Sequence, residues 1–190
     1  MITQEPVKKY QWLSRFLPWA AALLVLATFF LTAGRLTDVM HHTGSSSAPL
    51  KSFDYSFTIK DLSNKKISFE QFRGKVVFIN LWATWCGPCR AEMPTIETLY
   101  RKVQHNDIQF IMLSVDEDAD QHKVRRFIEK NNYSFPVYMP SGNLPPLLQV
   151  PSIPTTFIVD KRGNIVRKKV GMNDFSTTEY VRLLNELANQ

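Results

Sequence analysis

The chain has 190 residues, of which 44% are hydrophobic and 21% are charged. This composition excludes a fibrous or wholly disordered protein, and the length suits one compact domain with a short additional segment. The formal net charge of +6 is spread along the sequence, and no basic run is interleaved with aromatic residues that would stack on bases. We therefore interpret the basic residues as solvated surface groups and expect no nucleic-acid partner.

The first informative segment is the uncharged stretch at residues 16–33. As a helix it would be roughly 27 Å long, which is enough to cross the hydrocarbon core of a bilayer. Three basic residues precede it and only Arg35 closely follows it, so the positive-inside rule places residues 1–15 in the cytoplasm. A cleaved signal peptide is the alternative, but the apolar core is long for one and the following sequence is a poor cleavage site. The sequence thus predicts a single uncleaved transmembrane anchor at residues 16–34.

Residues 35–49 are rich in small and polar side chains, which cannot bury much apolar area. We interpret this segment as a flexible linker. The adjacent His41 and His42 would make only a weak metal site, so linker composition explains them better, and no metal or other cofactor is expected. The folded domain is predicted to occupy residues 50–190, on the periplasmic or extracytoplasmic side of a bacterial inner membrane.

The predicted domain alternates strands and helices. Its most distinctive element is the nearly continuous apolar run at residues 76–82, which is typical of a strand covered on both faces. Apolar residues at helical spacing, including Ile96 and Leu99, predict that a helix follows this strand. The other predicted elements are hairpin strands at 57–59 and 66–68, a strand at 108–115, a helix at 124–128, and strands at 156–159 and 165–170.

The last helix is predicted from a capping signal and an apolar face. Ser176 is followed three residues later by Glu179, which is the spacing of a capping box. The face that would pack on the sheet consists of Tyr180, Leu183, Leu184 and Leu187.

The chemistry is predicted at Trp85-Cys86-Gly87-Pro88-Cys89, between the buried strand and the following helix. A thiol at a helix N-terminus faces unpaired backbone amides and the positive end of the helix dipole, so Cys86 is the expected nucleophile. The spacing brings Cys89 within disulfide reach of Cys86, so Cys89 is the expected resolving thiol that releases an attacked substrate. Gly87 leaves room for the backbone of a partner, and Pro88 suits the first helical turn.

Other uses of a cysteine pair fit the sequence less well. Structural zinc requires four ligands, whereas the chain has two cysteines and no nearby histidine pair at ligand spacing. Covalent haem attachment requires a histidine directly after the second cysteine, and that residue is Arg90. A purely structural disulfide is the strongest alternative, but so short a loop removes little chain entropy, which favours a redox role.

Together these segments resemble the TlpA/ResA-type thiol-disulfide oxidoreductases of the thioredoxin fold, which include the cytochrome c maturation reductases. The resemblance covers residues 50–188 and rests on two motifs, NLWATWCGPCRAEMP at 80–94 and IPTTFIVD at 153–160. It implies an α/β fold with a thioredoxin-like mixed sheet flanked by helices, preceded here by the transmembrane helix. The segment between the 108–115 strand and Pro154 resembles the extra strand-helix unit of this subfamily.

The resemblance also implies a substrate-binding groove. It implies that the Ile153–Pro154 bond is cis and that the backbone of Ile153 lies beside the cysteines, where it would bond an extended substrate segment. The rest of the substrate-binding surface would be formed by Trp85, Gly87 and Pro88.

One departure from thioredoxins concerns proton transfer. Those proteins carry a buried aspartate where this chain has Asn80, and an amide cannot exchange a proton as a carboxylate can. Glu92 lies one helical turn after Cys89 and matches the acidic residue that ResA-like proteins place beneath their cysteines, where burial would raise its pKa. A solvent-facing glutamate favoured by the helix dipole is the alternative. The resemblance favours Glu92 as the third catalytic residue.

The predicted function is reduction of protein disulfides by dithiol-disulfide exchange, because the Gly87-Pro88 pair matches reducing thioredoxins. The implied partners are cysteine-containing protein substrates, apocytochrome c among them, and a transmembrane donor that re-reduces the cysteines in an oxidising compartment. A disulfide-forming oxidase is the alternative within the same chemistry. A copper-delivery protein on this fold usually separates its cysteines by three residues rather than two, and a redox-inert peptide-binding adaptor is a further alternative.

Overall fold

The computed structural model describes residues 50–103 and 106–190. Eight strands, three helices and three short 3-10 helices are found in these two stretches. The strands are β1 (Leu50–Ser52), β2 (Thr58–Asp61), β3 (Lys66–Ser68), β4 (Val76–Trp82), β5 (Ile108–Ser114), β6 (Val137–Pro140), β7 (Thr155–Val159) and β8 (Asn164–Val170). The helices are α1 (Gly87–Lys102), α2 (Gln121–Lys130) and α3 (Thr178–Ala188), and the 3-10 helices are Phe69–Phe72, Asp118–Asp120 and Pro146–Leu148.

The eight strands form one mixed sheet in the order β1-β8-β7-β4-β5-β6-β2-β3. β4 pairs in parallel with β5 and antiparallel with β7, and all seven of its residues are buried. A strand in this position must be apolar on both faces, which explains the continuous apolar run at residues 76–82. The thioredoxin-like α/β fold, with a mixed sheet and flanking helices, is therefore confirmed for the described residues.

Side chains of β4 alternate between two hydrophobic cores. Val76, Phe78 and Trp82 belong to one core, together with apolar side chains from all three helices. The intervening apolar residues belong to the other core, which includes the aromatic residues Phe53, Tyr55, Phe69 and Phe72 from the chain before β4. Asn80 lies on the same face of β4 as Val76, Phe78 and Trp82, so β4 presents one buried amide toward α1.

The predicted elements are present with small shifts of their boundaries, but the capping box is wrong. α3 begins after Thr177, whose side chain makes no capping bond. The Ser176 hydroxyl and N–H donate to Asp174 Oδ1 at 2.6 and 2.9 Å instead. Ser176 thus bonds to the carboxylate of Asp174 in a local turn before the helix, and it does not cap the helix N-terminus.

No helix within residues 50–103 and 106–190 has both the length and the apolar character needed to cross a bilayer. The predicted cytoplasmic segment, transmembrane anchor and linker lie outside the described residues. Those expectations therefore stay predictions.

Candidate active site

The buried strand β4 ends at Trp82, and the chain enters α1 through the two cysteines. Cys86 is the N-cap residue of α1, and it forms a disulfide with Cys89 in the first helical turn. The backbone N–H of Cys89 donates to Cys86 Sγ at 3.2 Å. In the reduced protein the same amide would stabilise a thiolate on Cys86, and the helix dipole acts in the same direction.

The two cysteines differ in their access to solvent. Cys89 is fully buried, whereas Cys86 keeps 6% of its surface exposed and lies next to Trp85, which is 69% exposed. A Cβ atom added at Gly87 would meet no other atom within 4 Å, and Pro88 is exposed. The surface around Cys86 is therefore open, and a partner can reach this sulfur more readily than that of Cys89.

The loop before β7 borders the disulfide. The Ile153–Pro154 bond is cis, as the resemblance implies. The carbonyl oxygen of Ile153 lies 3.8 Å from Cys86 Sγ, and the carbonyl oxygen of Pro154 accepts from the Gly171 N–H at 2.8 Å. A disulfide sulfur carries no proton, so the Ile153 carbonyl would accept from the Cys86 thiol only after reduction, or from the backbone of a bound peptide.

Glu92 lies one turn after Cys89 on α1, and its side chain is buried, with 1% of the residue exposed. Its Oε1 accepts from Asn80 Nδ2 at 2.8 Å, and its Oε2 accepts from the backbone N–H of Asn173 at 3.1 Å. Burial raises the pKa of Glu92 from 4.5 to about 7, and the two hydrogen bonds offset part of that rise. Glu92 is therefore not the solvent-facing glutamate of the alternative interpretation.

This environment gives Glu92 a specific chemical capacity. A carboxyl with a pKa near 7 exists in both protonation states at neutral pH, which suits proton exchange with a thiol. The partners of both its oxygens are neutral amide groups, so no salt bridge holds it in the ionised form.

The outer part of the Glu92 network was not indicated by any sequence pattern. Thr156 accepts from Asn80 Nδ2 at 2.8 Å, and Tyr180 Oη accepts from Asn173 Nδ2 at 2.8 Å. Thr156 lies within the second motif and Tyr180 on the predicted apolar face of the last helix, but neither position signals contact with a glutamate network. The pairing of β4 with β7 and the packing of α3 bring these residues together.

A second buried carboxylate holds the loop that precedes the cysteines. Asp116 is 5% exposed and accepts from the Thr84 N–H at 2.9 Å and from the Thr84 hydroxyl at 2.6 Å. The Ser114 hydroxyl also donates to it at 2.6 Å. Because Thr84 stands two residues before Cys86, these bonds fix the start of the redox motif. No pattern in the sequence indicated this role of Asp116.

The sequence is similar to those of known thiol-disulfide oxidoreductases. Residues 53–168 match the AhpC/TSA family. The thiol-disulfide oxidoreductase ResA of a Bacillus cereus strain is 37% identical over 117 residues, which are 61% of this chain and 66% of that protein. The thiol-disulfide oxidoreductase ResA of Halalkalibacterium halodurans is 30% identical over 131 residues, which are 68% of this chain and 73% of that protein.

A solved structure agrees with the fold. The crystal structure of StoA from Bacillus subtilis superposes with a TM-score of 0.55 at 26% identity, covering 69% of this chain and 94% of that chain. The match to the Bacillus cereus protein spans just under two thirds of that protein's length.

We expect Cys86 to be the only readily alkylated thiol of the reduced protein. The Cys89 amide and the helix N-terminus favour its thiolate, whereas Cys89 is buried. Treatment with iodoacetamide near neutral pH, followed by mass mapping, measures which cysteine carries the adduct. The Cys89→Ser variant should react like the wild type, and Cys86→Ser at least about tenfold more slowly. Preferential modification of Cys89 would reverse the assigned roles.

The raised pKa of Glu92 predicts a dependence of stability on pH. Its folded-state value of about 7 lies above its unfolded value of 4.5, so the folded protein binds the extra proton between them. The free energy of unfolding should therefore fall as the pH rises through this window. We expect the wild type to lose roughly 2–3 kcal/mol relative to Glu92→Gln between about pH 5 and pH 8. Denaturant titrations of both oxidised proteins measure this difference, and parallel pH profiles would contradict the assigned pKa.

Proposed function

We propose that this chain, which belongs to the AhpC/TSA family and whose domain is a thiol-disulfide oxidoreductase, reduces protein disulfides on the outer side of a bacterial cytoplasmic membrane. The observation that carries the redox function is the Cys86–Cys89 disulfide at the N-terminus of α1, beside the carbonyl of Ile153. The direction of electron flow, the location and the partners are supported by arguments from the sequence.

The proposed reaction consists of two exchanges. In the reduced protein, the Cys86 thiolate attacks one sulfur of a substrate disulfide and displaces the other sulfur as a thiolate. Cys89 then loses its proton and attacks Cys86 Sγ, which re-forms the disulfide of the structure and releases the second substrate thiolate. Two electrons pass to the substrate, and its two thiolates take up protons.

The surroundings of the disulfide support a protein substrate. Among the described residues, the exposed large hydrophobic side chains are Trp85, Val170 and Met172. Trp85 directly precedes the cysteine motif, and Val170 and Met172 flank Gly171, whose N–H donates to the carbonyl of Pro154. Exposed apolar side chains next to the cysteine motif and next to the residue that bonds to Pro154 suit a partner with apolar residues beside its own cysteine.

Glu92 is the proposed acceptor for the proton of Cys89. The two residues stand three positions apart on α1, so their side chains share one face of the helix. A pKa of about 7 lets the carboxylate take a proton from the thiol near neutral pH and release it again later in the cycle. Asn80 occupies the position of the thioredoxin aspartate and cannot fill this role, because an amide does not titrate.

Reduction is the proposed direction because the Gly87-Pro88 pair matches that of reducing thioredoxins. A reductase in an oxidising compartment needs a supply of electrons, so we infer a transmembrane donor of the thiol-reducing type. Cysteine-containing proteins outside the cytoplasm are the proposed substrates, and the family resemblance adds apocytochrome c to them.

The proposed location rests on the sequence before the domain. The uncharged stretch at 16–34 is long enough for a membrane anchor, and the basic residues before it favour a position of the domain outside the cytoplasm. Such an anchor would keep the cysteines close to a membrane-embedded donor. The polar linker at 35–49 would let the domain turn between donor and substrate.

The reduction potential of the Cys86–Cys89 couple tests the proposed direction. We expect a value near that of thioredoxin, about −270 mV, measured by equilibration of the full chain with glutathione or a dithiol of known potential. The Cys89→Ser variant should trap substrates in its native membrane as mixed disulfides, and Cys86→Ser should trap none. A potential near about −120 mV, the scale of periplasmic oxidants, would favour the oxidase alternative. Inability of the wild type to reduce any disulfide would favour the adaptor.

Replacement of Glu92 tests its role in the second exchange. Glu92→Gln should leave attack by Cys86 intact and slow the resolution step by about tenfold to a thousandfold, because Cys89 loses its proton acceptor. Stopped-flow reduction of a small disulfide across a range of pH separates the two steps and shows whether mixed disulfide accumulates. Glu97→Gln is the matched control, since Glu97 is a buried glutamate on the same helix that bonds to Ser134. Identical profiles for wild type and Glu92→Gln would exclude this role.

A further inference from the structure

Asn80 is fully buried on β4, and only one end of its side-chain amide is used. Nδ2 donates to Glu92 Oε1 and to Thr156 Oγ1, both at 2.8 Å. Oδ1 has no hydrogen-bond partner within residues 50–103 and 106–190. A buried carbonyl oxygen without a donor is costly, so the orientation of this amide needs a physical reason.

The charge of Glu92 supplies that reason. An ionised carboxylate can only accept hydrogen bonds, so Asn80 must turn its N–H groups toward it. The Thr156 hydroxyl can either accept or donate, because its proton rotates about the C–O bond. The observed orientation is therefore the one that suits ionised Glu92, with Asn80 as donor and Thr156 as acceptor.

Protonation of Glu92 reverses which hydrogen-bonding group Asn80 must present to the carboxyl. The Asn173 N–H is a backbone donor to Oε2 at 3.1 Å, so Oε2 must stay an acceptor and the proton is directed to Oε1. The new O–H would then face the N–H of Asn80, a donor against a donor. If the amide turns by half a rotation, Oδ1 faces Glu92 and Thr156, and both can donate to it. The nitrogen then takes the unpaired position.

We propose that the side-chain amide of Asn80 reverses each time Glu92 gains or loses its proton, while Thr156 changes from acceptor to donor. Asn80 and Thr156 are then positioning residues that give the Glu92 carboxyl a hydrogen bond in both protonation states. The carboxyl can thus stay in one place while its charge changes. The use of this reversal in turnover rests on the proposed role of Glu92 as proton acceptor for Cys89.

The orientation of the Asn80 amide is expected to follow the protonation of Glu92 and not that of another nearby group. Tyr180 on α3 is the titratable side chain that interacts electrostatically with Glu92, and Glu179 on α3 and Arg167 on β8 act on Tyr180. Cys89 on α1 does not titrate while it is in the disulfide. β4 and β7 contribute Asn80 and Thr156, which do not titrate. Tyr180 bonds to Asn173 rather than to Glu92, and burial raises its pKa above 10, so it stays protonated near neutral pH.

NMR spectroscopy of the oxidised full chain in detergent micelles tests the reversal without turnover. The 13Cδ shift of Glu92 reports its protonation, and NOEs from the Asn80 amide protons to Thr156 report the orientation of the amide. We expect these NOEs to weaken severalfold from about pH 9 to about pH 5, with the same midpoint as the Glu92 shift. The Glu92→Gln variant should show no such change. Titration of Glu92 with unchanged Asn80 NOEs would overturn the proposal.

Asn80→Leu supplies a second readout. With reversal, both states of Glu92 lose a hydrogen bond, so its pKa should move by less than about one unit. If the amide instead keeps one orientation, Asn80→Leu removes a hydrogen bond from ionised Glu92 only. The pKa of Glu92 should then rise by about one to two units, and this result would contradict the proposal. Thr156→Val is the matched control. It should shift the pKa of Glu92 by less than about half a unit, because Thr156 bonds to Asn80 in both orientations of the amide.

These two readouts are independent of the proposed function. Absence of disulfide reduction by the wild type would remove that function and leave the reversal measurable. If Asn80→Leu does not fold, the wild-type NOE titration decides the question alone.

Discussion

The pairing of β4 with β7 is the constraint on which the rest of the site depends. Its register places Asn80 opposite Thr156, on the face of the sheet that α1 covers. Because Pro154 directly precedes β7, the same register brings the cis bond to the end of β4, where the chain turns into the cysteines. A slip of one residue would move Asn80 to the opposite face and leave Glu92 without this partner. The position of the cis Ile153–Pro154 bond beside Cys86 and the hydrogen bonding of the buried carboxyl thus follow from one antiparallel ladder.

Two electrostatic features near the disulfide act in opposite directions. The N-terminus of α1 favours negative charge on Cys86, whereas a charged Glu92 beneath the cysteines would disfavour it. A carboxyl with a pKa of about 7 is partly neutral near neutral pH, which weakens this opposition. The same burial lowers the stability of the folded protein above neutral pH, which is the usual cost of a reactive group in a core. The proposed role of Glu92 in proton exchange and the stability of the fold therefore make opposite demands on this residue.

The buried strand and the redox motif could be predicted because each has a local signature, a continuous apolar run and a cysteine spacing that suits a helix start. The surroundings of Glu92 have none, because its second oxygen is bound by Asn173, which lies 81 positions away. Long-range contacts of this kind depend on how loops close over the sheet. The capping-box prediction is wrong because of a local contact. Ser176 bonds to the nearby Asp174, and the capping-box pattern takes no account of that residue.

Gly87 borders open space, so the fold itself does not require a glycine at this position. A side chain there would meet nothing in this chain, and the backbone does not adopt the left-handed conformation that favours glycine. A substitution at Gly87 should therefore change the contacts made with other molecules, and the balance between dithiol and disulfide, more than the stability of the domain.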